Sequence, residues 1–344
     1  MLGLAGAALG LSACSGDDKK ATPAGAAGTK AGSMEKVTYL TGLGATGRES
    51  YAWVAKAKGF FTEQGLDVTI QPGAAGDSNN TLLQSGKAQF ASVDSSGAIV
   101  RWGTKKDQTF QVVSAVQQQT LIAIVTVEGR GITSPKDLEG KTIAGAPGAA
   151  PKTLFPGYAR LANIDASKVK FVEVAGAQLI PALAAKQCDA LAYFAPGAPG
   201  VELACKAKAV ILPYSEYASD LFGTFLVASK TTIDSKPDLV HRFNVGLMKG
   251  IAYMSEHPDE AGEILNKAVP ASAAKVAASE VRLMTPYLTS RGGGQEPLGR
   301  IDPARMAKSI ALIRSLGLIP DSFEPTAFVR NNDAINSGAP VLGS

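Results

Sequence analysis

From residue 36 onward the chain alternates short β-rich runs with runs of helical spacing, and nothing else in it limits the fold so strongly. Strand-like runs fall at 37–40, 66–70, 90–93, 110–116 and 121–127, with helical spacing between them at 49–58, 78–85 and 98–104. A second series opens at Ser134-Pro135-Lys136-Asp137-Leu138, where Ser134 suits the cap of a short helix and Pro135 its first position. Strands at 142–144, 169–174, 190–194 and 210–212 follow, interleaved with helices at 151–161, 180–186 and 201–206, and a last strand is expected at 225–228. The remainder reads as helical, at 237–256, 259–267, 272–284 and 303–315. Strands separated by helices imply parallel sheets flanked by helices. Two such series with a helical return predict two lobes: 36–128 with 220–344 in the first, 132–217 in the second, and hinges near 128–132 and 217–223.

A different kind of segment precedes this part. Leu11-Ser12-Ala13-Cys14 closes an apolar stretch that begins at Met1, the pattern of a lipoprotein processing site. On that reading 1–13 are a signal segment, Cys14 carries the lipid, and 14–35 form a flexible tether, since small polar residues cannot bury enough surface to offset their ordering entropy. Two acyl chains, at roughly 0.8 kcal/mol per buried CH₂, hold a protein stably on a membrane. The expected location is extracytoplasmic, anchored to the cell membrane. Cys188 and Cys205 are then the remaining pair, and an oxidising compartment favours a disulfide between them.

Composition excludes several classes. The chain has 344 residues, 45% of them hydrophobic, enough for a substantial core. Its net charge of +4 is spread along the sequence, without the clustered basic face of a nucleic-acid binder. There is no G-x-S-x-G, no Walker sequence and no zinc spacing, and the two histidines, His241 and His257, fall in or at the end of helical runs. No catalysis, cofactor or metal is expected. Gly42-Leu43-Gly44-Ala45-Thr46-Gly47 does spell G-x-G-x-x-G between a strand and a helix. The acid that would hold a ribose is missing from the end of the following strand, Ile70-Gln71-Pro72, so these glycines are read as serving a tight turn or close approach to a ligand.

The loops at the carboxyl ends of the predicted strands share a small, polar character: 44–47, 76–79, 94–97, 117–119 and 148–153. Ligands of open α/β sheets bind at this edge, and helices that begin there offer unpaired N–H groups. Tyr51 follows the glycine loop and is positioned to face a ligand. Tyr193-Phe194 ends a strand and fits either a stacking role or the core.

Several stretches resemble one family. Ala57-Lys58-Gly59-Phe60-Phe61, Gly65-Leu66-Asp67-Val68, Leu83-Gln84-Ser85-Gly86-Lys87-Ala88-Gln89-Phe90 and Ile132-Thr133-Ser134-Pro135-Lys136-Asp137-Leu138 are similar to substrate-binding proteins of the NitT/TauT group of ABC importers. Leu183-Ala184-Ala185-Lys186-Gln187-Cys188-Asp189 resembles a recurring leucine-x-x-glycine-x-x-aspartate pattern of that group, with Lys186 at the usual glycine. The resemblance implies a periplasmic-binding-protein-like (type II) clamp that closes on a small molecule and docks, as a monomer, on a membrane permease with a cytoplasmic ATPase. It implies a ligand such as a sulfonate, taurine or nitrate, with a planar heterocycle such as a thiamine pyrimidine precursor as the alternative. It places ligand contacts at Gly44, Thr46, Gly47, Tyr51, Asp77, Ser78, Ser95, Ser96, Gln118, Gly148, Lys152, Tyr193 and Phe194. Arg48 is the one arginine in these loops, so a sulfonate clamp is not obvious. An enzymatic relative of the family relies on clustered cysteines, which this chain lacks, and a ligand sensor without transport is a further class.

Overall fold

A computed structural model describes residues 34–73, 77–290, 296–330 and 333–342, without the side chains of Asp77 and Ser78. The proposed signal segment, Cys14 and nearly all of the tether lie outside the described residues. Ten strands are found among them: β1 (Glu35–Leu40), β2 (Leu66–Gln71), β3 (Phe90–Asp94), β4 (Phe110–Ala115), β5 (Ile122–Val127), β6 (Thr142–Gly145), β7 (Lys170–Glu173), β8 (Ala190–Phe194), β9 (Ala209–Pro213) and β10 (Thr224–Ser229). They form two five-stranded sheets, in the orders β2-β1-β3-β10-β4 and β7-β6-β8-β5-β9.

Each sheet is mostly parallel, with one reversed strand. In the first sheet β1 runs parallel to β2 and β3, while β10 is antiparallel to β3 and β4. In the second, β6 runs parallel to β7 and β8, while β5 is antiparallel to β8 and β9. The reversed strand is in each case the one that arrives from the other lobe. All six residues of β5 are buried, as suits a strand covered on both faces, whereas β2 alternates buried with exposed. The free side of β4 is closed by bridges from Val112 to Val329 and from Ala115 to Gly299.

This topology corrects the expected lobe boundary. The 121–127 strand, assigned above to the first lobe, pairs Ile122 with Phe194 and Val125 with Leu191 in the second sheet. The crossing therefore lies at 116–121 and not at 128–132. Gly129 and Gly131 (φ +84° and +63°) instead serve a turn beyond β5, inside the second lobe. A strand apolar at every position but Thr126 carries no periodic signal of which sheet it joins, which is why the sequence misplaces it. The return crossing runs from 214 to 223, and the two crossings bond to each other. Thr120 N donates to Leu221 O (2.8 Å), Gly223 N to Gln117 O (3.1 Å) and Val116 N to Thr224 O (2.8 Å). A Cβ on Gly223 would lie 2.6 Å from Gln119 O, so the ladder requires glycine there.

The Pro237–Glu256 helix covers the first sheet with one apolar stripe: Val240, Phe243, Leu247, Ile251 and Met254 are all buried. The expected disulfide is a second correction. Cys188 is a buried free thiol and Cys205 a partly exposed one. Cys188 packs among Leu183, Leu191 and Val201, which gives its sulfur an apolar surrounding instead of a partner, and burial pushes its thiol pKa up.

Candidate functional site

The carboxyl ends of the two sheets face one cavity of about 280 Å³. The first lobe lines it with Asn80, Asp94, Ser96 and Gly97, and the second with Gly148 and Thr153. Asp94 ends β3 and caps the Ser95–Gly103 helix. Its carboxylate accepts from Gly97 N (3.0 Å) and from Ser96 Oγ. Burial pushes the Asp94 carboxyl above the ordinary aspartate range, against the pull of those donors. The opposite wall comes from the loop after β6. Gly148 takes φ +67° there, and the Ala150–Thr153 turn breaks at Leu154 before the Phe155–Leu161 helix.

A second, water-sized cavity of about 30 Å³ lies between Thr46 and Arg48 at the glycine loop and Tyr193 and Phe194, which end β8, with Gly197 beyond them. The Arg48 guanidinium stands 4.5 Å from the centroid of the Phe194 ring, and its Nε lies 3.6 Å from Glu49. A Cβ on Gly197 would come within 2.2 Å of the Tyr193 ring, so that ring lies directly on the glycine. The floor is Glu280, from the Ala274–Met284 helix, which accepts from Gly47 N at 2.5 Å. Gly47 is held so close to that helix that a Cβ would meet Ala277 O at 2.2 Å.

Burial raises the Glu280 pKa from the ordinary glutamate value of 4.5, opposed by the Gly47 N–H and by Arg48. A carboxyl whose folded pKa is raised favours the folded state most when both states are protonated. Relative to Glu280→Gln, the native chain is therefore expected to be most stable below about pH 4.5 and to lose that relative stability as pH rises through the higher folded value. Urea midpoints of both chains across this range check it, and a pH-independent difference would refute it.

The structure separates the sequence-predicted residues. Thr46, Ser96, Gly148, Tyr193 and Phe194 line one or other cavity. Gly44 (φ +63°) holds the turn of the glycine loop, and Gly47 its seat on the Ala274–Met284 helix. Tyr51 does not face a ligand. It is fully buried beneath the loop, donating to Glu49 (2.8 Å) within a hydroxyl cluster with Tyr39 and Ser92, and burial raises its pKa well above the usual phenol. Ser95 is turned away, its Oγ donating to Phe222 O (2.6 Å) in the return crossing. Gln118 is held outside the cavities, donating from Nε2 to Arg300 O (2.7 Å) and accepting from Arg305 Nη1 (2.9 Å). Lys152 pairs with Glu173. Asp77 and Ser78 begin a helix at the cleft edge, and their side chains lie outside the described residues.

Sequence reasoning missed Asn80, Glu280 and Arg305. Asn80 lies two residues beyond Ser78, on a helix already expected to begin at the cleft, and that position was its only signal. Glu280 and Arg305 come from the helical return, where no local pattern announces a contact with loops more than 180 residues earlier.

Comparisons with known proteins agree with this architecture. The family model described as NMT1/THI5 like matches residues 50–261. The riboflavin-binding protein RibY of Chloroflexus aurantiacus is 22% identical over 272 residues, which is 78% of this chain and 77% of the relative. The periplasmic aliphatic sulphonate-binding protein SsuA of Escherichia coli superposes with a TM-score of 0.68 at 15% identity, covering 86% of this chain and 92% of that one. The alkanesulfonate-binding SsuA of Xanthomonas axonopodis pv. citri, solved with MOPS bound, gives 0.65 at 16% identity, covering 87% and 99%.

Proposed function

The chain belongs to the NMT1/THI5-like family, and from that premise we propose that it is the ligand-capturing subunit of an ABC importer. It acts outside the cytoplasm, held to the membrane through Cys14, and delivers a small nutrient to a permease driven by a cytoplasmic ATPase. The observation that carries this reading is the cavity between the lobes, lined by small polar loops from the carboxyl edges of both sheets. The paired crossings at 116–121 and 214–223 serve as the hinge. Closure about them buries the ligand and shifts the population toward the form the permease recognises. The protein performs no chemistry. The relatives support both ligand classes inferred from sequence, since one is named for riboflavin and two for sulfonates.

Ligand binding to the folded state alone stabilises by RT ln(1 + [L]/Kd), about 2.7 kcal/mol at a hundredfold excess over Kd. Thermal melts of the chain from Ser15 are expected to shift saturably with its ligand, with a matching fall in the radius of gyration and the ligand recovered unchanged by mass spectrometry. A shift without compaction would remove the hinge from the mechanism. A ligand recovered altered would make the protein an enzyme.

A further inference from the structure

Charge at the cleft discriminates between ligand classes. Three of its cationic side chains already have acidic partners: Arg48 lies 3.6 Å from Glu49, Arg101 is 3.9 Å from Asp107, and Lys152 pairs with Glu173. Lys106 stands exposed on the rim, where water screens it. Two of the residues that line the cavity, Asn80 and Asp94, carry acceptors. Asn80 is 6% exposed, and its Oδ1 is buried without a hydrogen-bond partner. Asp94 adds a carboxylate whose hydrogen bonds from Ser96 Oγ and Gly97 N both reach one oxygen, Oδ1. A buried acceptor left unpaired costs about 1–3 kcal/mol, which a ligand N–H or O–H would recover.

A sulfonate or nitrate brings only acceptors and a negative charge to this wall. We propose that the natural ligand is a neutral or cationic molecule that donates N–H or O–H hydrogen bonds to Asn80 Oδ1 and the Asp94 carboxylate, and that the cleft excludes sulfonates. This inference rests on the receptor reading above and narrows it. The upward pKa of Asp94 is consistent with it, because burial outweighs both its hydrogen-bond donors and the charge of Arg48.

Calorimetric titration tests it with two sets of probes: riboflavin, cytosine and 4-aminopyrimidine against ethanesulfonate, benzenesulfonate and nitrate. The expected result is saturable heat from a member of the first set and from none of the second. Asp94→Asn should weaken that binding tenfold or more, and because asparagine caps a helix as well as aspartate the variant keeps its fold. Asn80→Leu, which removes the acceptor at similar volume, should weaken it as well. Saturable binding of any anion overturns the inference while leaving the receptor reading intact. Equal binding by the native chain and Asp94→Asn overturns it too, as does silence from the first set. Silence from both sets, with no compaction in solution, would bring down the receptor reading as well.

Discussion

Phe243→Ala is expected to cost the fold about 3–5 kcal/mol, the usual range for removing a buried aromatic ring. Phe243 has no exposed surface. Its ring stacks on Phe90 with centroids 4.1 Å apart and planes 3° from parallel, and on Phe61 at 5.3 Å and 12°. Tyr39 adds a tilted contact at 5.5 Å. The stack joins the Pro237–Glu256 helix to β1 and β3, so its loss opens a void between helix and sheet that neither element can close alone. The urea midpoint should fall while the slope of the transition stays unchanged. A loss below about 1 kcal/mol would mean that the core repacks, which the parallel stacking argues against.

The second large effect is expected at Arg305. This side chain, on the Pro303–Ser315 helix, clamps both crossings. Its Nη1 and Nη2 donate to the side chain and main-chain oxygens of Gln118, while its guanidinium carbon lies 4.3 Å from the ring centroid of Phe222. Burial lowers the Arg305 pKa, although the group stays charged in the physiological range. Arg305→Ala leaves two acceptors of Gln118 without their donor, at about 1–3 kcal/mol for each that stays buried. Arg305→Lys keeps the charge but not the planar fork and should recover less than half of the loss. Hydrogen exchange should rise at 116–121 and 214–223 in both variants before it rises in either sheet. Full stability in Arg305→Lys would show that charge alone, and not the two-pronged contact, holds the crossings.

The alternation of strand and helix was enough to read the two-lobed α/β fold and the edge at which the cavity lies. That reading depends on local periodicity, and β2, β3 and β4 each follow a helix that the pattern also shows. What the pattern does not carry is pairing. β5 is apolar except at Thr126 and satisfies either sheet, so only its partners β8 and β9 decide its lobe. The same gap explains Tyr51, where an aromatic after a glycine loop has the same local signature above the loop as beneath it. Its burial follows from Glu49, Tyr39 and Ser92, which the fold brings together. The sequence pairs the cysteines by compartment, and compartment does not fix the orientation of a thiol.

The position of β10 also sets an order of events. The second sheet draws on a single unbroken stretch, from Ile122 to Pro213, and holds all its strands once that stretch has been made. The first sheet does not, because β10 lies between β3 and β4 and supplies the strand that joins them, although the other members of the sheet were made more than a hundred residues earlier. Until Ser229 is available, β3 and β4 each present an open edge to the other across a gap one strand wide. The lobe that begins first is thus the lobe that finishes last, and the chain must shield two unpaired edges during the interval.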